Sequence, residues 1–366
     1  MGRRTAALTG AALMLTAGLV TTPPAAACGC GGFAVPEGGE GGMDVVGERA
    51  ILSLVDGTER VQIALDADSD LAEAALVVPT PTPATAALGD ADAFDALAEV
   101  SAPKRQEVSV WWPELGSGDD GVAGAAPGGA PAVDVFQEVT LGPLEVASIG
   151  SADLDGLLTW LDERGYALSG RLADAMGTYV DEGWSFVAIK LSPEGEALDG
   201  EIPPVDLTFA SDELVYPMRL SAAADVAQKV RTYVVADQRT DRTDGGVNVD
   251  VLYAGPLDPA AHPELASWAE PFGDDAYVTT VEQTFDDPAA DITADFTFAA
   301  SDQGDVQRTY QVEVDRMVGP FLAGPAFVAI GAVVLGAVGV LAWATRRRRG
   351  AAVRARSAAA GSSSPR

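Results

Sequence analysis

The chain has 366 residues, 48% of them hydrophobic, with 54 Asp and Glu against 23 Lys and Arg, one histidine and a net charge of −31 at pH 7. Nucleic-acid and anionic-lipid partners are disfavoured, because such binding neutralises phosphates with Lys and Arg. The two cysteines, Cys28 and Cys30, sit too close together to staple the fold as a disulfide framework, so its stability has to come from packing.

Arg3 and Arg4 precede an uncharged run from Thr5 to Val20, followed by Pro23, Pro24 and Ala25 to Ala27. This charged, apolar, small-residue order predicts a secretory signal peptide over residues 1–27. The run holds Gly10 and Gly18 and is shorter than a stable bilayer span. Residues 28–318 then form an extracytoplasmic domain that carries all 54 acidic residues but 14 of the 23 basic ones, a net charge of −40. The acidity reads as a solvated surface, or more sharply as a place for cations.

Within that domain, Val45 to Val55, Glu59 to Asp66 and Glu73 to Val78 predict three meander strands with a turn at Asp56-Gly57. Pro79, Pro81 and Pro83 are expected to end the third, since proline donates nothing to a ladder. Asp90 to Val100 predicts a short helix. Residues 116–131 are mostly Gly, Ala, Pro and Asp without period and read as a linker, with 28–115 and 132–318 as possible sub-domains. After it come strands at Val133 to Leu141 and Leu144 to Ile149. A helix capped by Ser151 follows, with Leu154, Leu157, Leu158 and Leu161 at helical spacing and a stop at Gly165. Leu172, Met176, Tyr179 and Val180 repeat the spacing. Strands follow at Trp184 to Leu191, Val205 to Phe209, Val215 to Leu220, Lys229 to Asp237 and Val247 to Leu257, and alternation resumes from Tyr277 to Asp315. The fold class is α+β: a mainly antiparallel β ectodomain with a helical pair, plus one transmembrane helix.

No charge stands between Arg316 and Arg346, and the apolar run Phe321 to Thr345 is long enough to cross a bilayer. Residues 319–345 are therefore predicted to span it, with 346–366 as a basic tail. Arg346, Arg347, Arg348 and Arg349 place that tail in the cytoplasm and the preceding domain outside. Ala332 and Gly336 form a small-x-x-x-small pair that permits a helix dimer.

Candidate chemistry is sparse. Cys28 and Cys30 read as a small disulfide in the oxidising exterior or, for Cys28, as a lipidation site. Asp66, Asp68 and Asp70 give calcium-like oxygen spacing between two strands. Gly and Glu are missing, however, where an EF-hand needs them, and Asp is also simply favoured in turns. His262 lies in the Pro-flanked stretch Asp258 to Pro263 and reads as a surface-loop residue. No Gly-x-Ser-x-Gly or phosphate-cradling loop accompanies it. Paired-carboxylate hydrolysis stays open, with Asp212-Glu213 as one pair. Trp111-Trp112-Pro113 reads as core packing before it reads as an exposed recognition patch.

Several stretches, taken in order, resemble the bacterial domain-of-unknown-function family 2330. They are the Cys-Gly-x-Gly-Gly-Phe start at Cys28 to Phe33, Glu48-Arg49-Ala50-Ile51, Val77-Val78-Pro79-Thr80-Pro81 and Leu141-Gly142-Pro143. Further on come Trp160 to Tyr166, Tyr179 to Trp184, Val187 to Leu191 and Ser211 to Pro217. The resemblance spans about residues 28–240 and implies a signal, a domain and often a C-terminal helix. It implies no activity, cofactor or catalytic residue. Cys30 departs from it, standing where Gly is expected with a second cysteine further on, so no disulfide pairing carries over.

These readings together point to a single-pass cell-envelope membrane protein, embedded in the lipid bilayer by its C-terminal helix and binding an envelope protein or ligand. A non-enzymatic binding, structural or sensing role is the first reading. A carboxylate-based envelope hydrolase and a calcium-dependent adhesion module are the alternatives.

Overall fold

The computed structural model describes residues 26–28, 30–36, 43–112, 138–141, 144–149, 154–191, 198–246 and 249–360. The described residues of Met1–Ala102 and Gly124–Gln307 form one compact unit, and those of Pro103–Ala123 and Arg308–Arg366 form a second.

The first unit is built on two large sheets. One is antiparallel throughout and runs in the order 26–28, 31–36, 74–80, 185–191, 144–149, 138–141, with 166–167 added beside 31–36. The other runs 306–307, 250–256, 277–285, 228–236, 43–55, 58–69, 205–210, 85–88, with 200–201 added beside 58–69. It is antiparallel except where 228–236 lies parallel to 43–55. A three-stranded piece joins 214–216, 296–300 and 240–242.

The two-residue period of a strand explains why these sheets stack. In Ala74–Thr80, Leu76 and Val78 enter a core shared between the sheets, while Ala75 and Val77 enter a second core on the opposite face. Phe33 and Val35 against Ala34, and Val187 and Ile189 against Phe186 and Ala188, divide the same way. The larger sheet sends Ala50, Leu52, Val61, Ile63, Val230 and Val234 into the shared core, and Ile51, Tyr233 and Val278 to its outer face. Helices cover both outer faces. Leu154–Glu163 and Gly170–Asp181 pack Leu157, Leu161, Leu172, Met176 and Tyr179 on the smaller sheet. Ala91–Val100 and the turns of 263–275 pack Phe94, Leu97, Leu265 and Trp268 on the larger one. Each fully buried side chain of this size contributes about 1.5–3 kcal/mol.

Local signals place several elements. Asp56 and Gly57 both have positive φ, 49° and 73°, as a two-residue hairpin turn requires. The side chains of Asp90 and Ser169 accept from the first-turn N–H groups of Asp92 and Leu172 and so start their helices. Gly32 is needed for close approach, since a Cβ there would stand 2.3 Å from Leu172. Gly32 therefore lets a helix sit directly on a strand, while Gly31 lets the neighbouring strand approach, since a Cβ there would stand 2.6 Å from the Val77 oxygen.

The fold corrects four sequence expectations. The three early strands are no meander, because 74–80 leaves the 43–69 hairpin for the other sheet. Pro79 lies inside its strand, opposite Phe186, and is tolerated because the ladder with 31–36 runs only over 75–77 and leaves that side of Pro79 unpaired. The chain does not divide at 116–131 into 28–115 and 132–318, since both large sheets draw strands from either side; the linker itself lies outside the described residues. Val215 to Leu220 is not one strand. Leu214–Tyr216 stops before Pro217, and Arg219–Ala223 turns as a 3₁₀ helix. Residues 1–25 of the expected signal peptide, Ser151 and Val133 to Gln137 also lie outside the described residues, whereas Ala26 and Ala27 pair with Phe33 and Gly32.

In the second unit, Lys104–Val110 and Thr309–Asp315 pair in parallel, a strand pair the sequence did not suggest. Met317–Val318 and Phe321–Leu322 make a tight turn through Gly319, and a helix follows from Ala323 to Ala360. The helix stretch Ala323–Ala352 is long enough, and apolar enough ahead of its arginines, to cross a membrane. The helix runs on through Arg346 to Arg349, past the expected end at 345.

Candidate functional site

The most heavily bonded polar cluster is built on Asp295. Gly170–Asp181 brings Tyr179 to it and the 3₁₀ turn brings Arg219. The Tyr179 hydroxyl donates to Asp295 Oδ1 at 2.5 Å, and the backbone N–H groups of Met218 and Arg219 donate to the same oxygen at 2.7 and 3.1 Å. Arg219 Nε donates to Oδ2 at 2.8 Å. The two terminal nitrogens of Arg219 then grip Glu182 at 2.7 and 2.6 Å, and its guanidinium lies 4.2 Å from the Tyr179 ring centre. Burial, then the Asp295 charge and hydrogen bond, pushes the Tyr179 hydroxyl well up, whereas Arg219's hydrogen bonds pull Glu182 down. Both carboxylates of the cluster, Asp295 and Glu182, share the one guanidinium of Arg219. The cluster's chemistry is that of a clamp joining a helix, a turn and the segment before 296–300.

A cavity of about 250 Å³ lies beside Arg242, Asp244, Gln283, Phe285, Ile292 and Phe296. Arg242 and Asp244 are 5% and 6% exposed and bridged at 2.5 Å, Arg242 Nη1 donates to Gln283 Oε1 at 2.5 Å, and the guanidinium lies 3.4 Å from the Phe296 ring centre. Burial raises the Asp244 carboxyl, but the Arg242 bonds and charge outweigh it and hold it low. At this volume the cavity falls below the range of drug-sized ligand sites, and its cation is already paired.

Elsewhere among the described residues Asp206 is buried in a pair with Arg60, and Glu48 and Glu59 are buried as well. Glu48 accepts from the Tyr216 hydroxyl, which also meets buried Cys30, and burial followed by the charges of Cys30 and Glu48 pushes that phenol well up. Glu59, fully buried beside the hairpin turn, accepts from the Val215 N–H at 3.1 Å. Burial pushes its carboxyl up to about 9, against the lowering effect of Val215 and the Ser211 hydroxyl.

The residues singled out from sequence are dispersed differently. Asp66 and Asp68 lie within the strand Thr58–Ser69 instead of between strands, on one face, and Asp70 follows its end. The register sets Asp68 against Asp44, whose carboxyl is raised by partial burial and then by Asp68 and Asp225. Asp66 is raised by burial. Among the described residues, no three His, Cys, Asp or Glu side chains gather as around a metal ion. Cys28 pairs with Gly31 in the first hairpin, and only its backbone is described. Asp212 and Glu213 are exposed in the turn before 214–216. His262 is partly buried, 3.5 Å from Glu264. Trp111 and Trp112 are 45% and 57% exposed, which corrects the expectation of core packing. Sequence reasoning missed Arg219, Asp295, Arg242 and Glu59; Tyr179 and Glu182, though quoted for their resemblance, were given no role.

The geometry defines an α+β chain: a pair of sheets covered by helices, and, among the described residues, one helix long and apolar enough to span a bilayer. The chain belongs to the family described as "Uncharacterized protein conserved in bacteria (DUF2330)", whose model matches residues 24–299. No curated protein matches it. Among solved structures, the crystal structure of baculovirus P35 aligns with 59% of this chain and 76% of its own at 11% identity. Its TM-score of 0.34 carries no argument about fold or function.

Proposed function

We propose that the chain is a single-pass cell-envelope protein whose acidic domain lies outside the cytoplasm and acts by binding, structural support or sensing, not by catalysis. The observation that carries the reading is the helix that starts at Ala323, uncharged as far as Thr345 and continuing straight into Arg346 to Arg349. A helix of this composition is stable only where its apolar sides leave water, and the arginine run favours the cytoplasmic side. The non-catalytic part is supported by Arg219 and Arg242, which are consumed by carboxylates of the same domain. With a net charge of −40, the outer domain favours a cationic or neutral partner. Alkaline extraction of membranes tests the reading. The full chain should stay with the bilayer, and a chain ending at Arg316 should leave it; release of both would remove the anchor.

A further inference from the structure

We propose that Trp111 and Trp112, more than 200 residues before the membrane helix, form with Phe321 and Arg316 a collar that lies in the outer interfacial layer of the bilayer and fixes the depth of the helix. The inference rests on the membrane reading of Ala323–Ala352 and goes beyond it, because the helix alone does not call for a second segment of chain.

The parallel pairing of Lys104–Val110 with Thr309–Asp315 carries both segments toward the helix together, with Val110 opposite Asp315. The Arg316 N–H then donates to the Val110 carbonyl at 2.9 Å, and Ala323 N–H donates to the Arg316 carbonyl at 2.7 Å. Gly324 N–H donates to the Trp111 carbonyl at 2.9 Å. Helix N-termini carry unsatisfied N–H groups, and in a bilayer each is costly. Two are satisfied here by backbone of the collar itself. The approach is close enough that only glycine fits: a Cβ on Gly324 would stand 2.2 Å from the Trp111 oxygen and 2.8 Å from the Trp112 ring.

Side chains complete the collar. Trp111 lies 5.4 Å from Phe327, centre to centre, and the Arg316 guanidinium lies 4.8 Å from the Trp111 ring centre. Even so, Trp111, Trp112, Met317 and Phe321 remain 45%, 57%, 52% and 67% exposed, one apolar surface continuous with the exposed sides of the helix. Such a patch marks an interaction site. Its occupant follows from spacing. Gly324, which the two tryptophans cover, precedes Trp343 by 19 residues, or about 29 Å of helix, which matches the roughly 30 Å hydrocarbon layer. Trp343 is 55% exposed and has Arg347 4.0 Å from its ring centre. The helix thus has a tryptophan with a stacked arginine at each end, the placement of interfacial aromatic belts. Only the outer tryptophans are supplied from elsewhere in the chain. Arg316 is positioned for lipid phosphate at the outer surface.

The test uses the full chain in phosphatidylcholine vesicles, with tryptophan emission compared between ordinary lipid and lipid brominated near the headgroup. Wild type is measured beside W111F/W112F, which keeps aromatic packing, and beside W343F. The signal lost between wild type and W111F/W112F should be mostly quenched by bromine and shielded from aqueous acrylamide. Loss of the Trp343 signal to bromine reports insertion of the helix independently. Trp343 quenched while the Trp111/Trp112 signal is untouched by bromine would overturn the collar and leave the membrane anchor. That outcome with acrylamide shielding would assign the patch to a protein contact, including a second copy. Trp343 left unquenched would overturn both. As a check not reliant on fluorescence, W111S/W112S should raise labelling of F321C by an impermeant maleimide several-fold over F321C alone; an unchanged rate counts against the collar.

Discussion

Replacing Glu59 by Gln should stabilise the protein, by an amount that grows with pH. Glu59 is fully buried, and burial pushes its carboxyl from an ordinary 4.5 up to about 9. The unfolded chain therefore releases this proton at a lower pH than the folded chain does, and rising pH favours unfolding through the interval between the two values. The slope is about 1.4 kcal/mol per pH unit. By pH 7 the wild type has lost about 3 kcal/mol relative to a chain with a neutral residue in the same place, and near pH 4 it has lost almost nothing. Glutamine has the shape of the protonated acid, keeps an acceptor for the Val215 N–H and does not titrate. Urea unfolding of the full chain in detergent, followed by the emission of tryptophans that include buried Trp268, gives the stability of both proteins. The difference should be near zero at pH 4.5 and rise steadily through pH 8. A difference that does not change with pH, or a variant less stable than wild type at pH 8, would refute a protonated Glu59.

The same unfolding assay checks three further expectations. Asp295→Ala strips partners from Tyr179, Arg219 and Met218 N–H and should cost about 3 kcal/mol or more, Tyr179→Phe about 1–2 kcal/mol, and the double variant less than the sum because they share one network. Gly32→Ala should cost about 1–3 kcal/mol through collision with Leu172, and combining it with Leu172→Ala should cost less than the sum of the two single changes, since the second change removes the colliding methyls. Arg242→Ala leaves Asp244 buried without its partner and should cost about 3–5 kcal/mol, whereas Arg242→Met with Asp244→Leu should fall much closer to wild type.

Signals confined to a few residues were legible in the sequence. Asp56-Gly57 announced its hairpin, Leu172, Met176 and Tyr179 their helix, and the uncharged run after Arg316 its long apolar helix. Long-range pairing was not. Ala74–Thr80 is buried on both faces, so its apolar run does not say which sheet it joins. Lys104–Val110 is mostly polar and exposed, and only its partner more than 200 residues later makes it a strand. Val215 to Leu220 looked continuous because hydrophobic spacing outweighed the break at Pro217. The clamp was hidden for a different reason: Asp295 is one of 54 acids, and nothing nearby marks it as the one that meets Arg219. Tyr179 and Glu182 stood in a stretch quoted for resemblance, Tyr179 to Trp184, but only the fold shows what they bind. Trp111 and Trp112 were visible as a pair, yet their place beside Gly324 depends on that same distant strand pairing.

Thiol labelling in intact cells tests the envelope topology most directly. In a chain with Cys28 and Cys30 replaced by Ser and Ala, single cysteines are placed at exposed Gln303 and, separately, at Ser362, and an impermeant maleimide is added before and after lysis. The account predicts that position 303 labels in intact cells and that position 362 labels only after lysis. Labelling of 362 but not 303 in intact cells would contradict it.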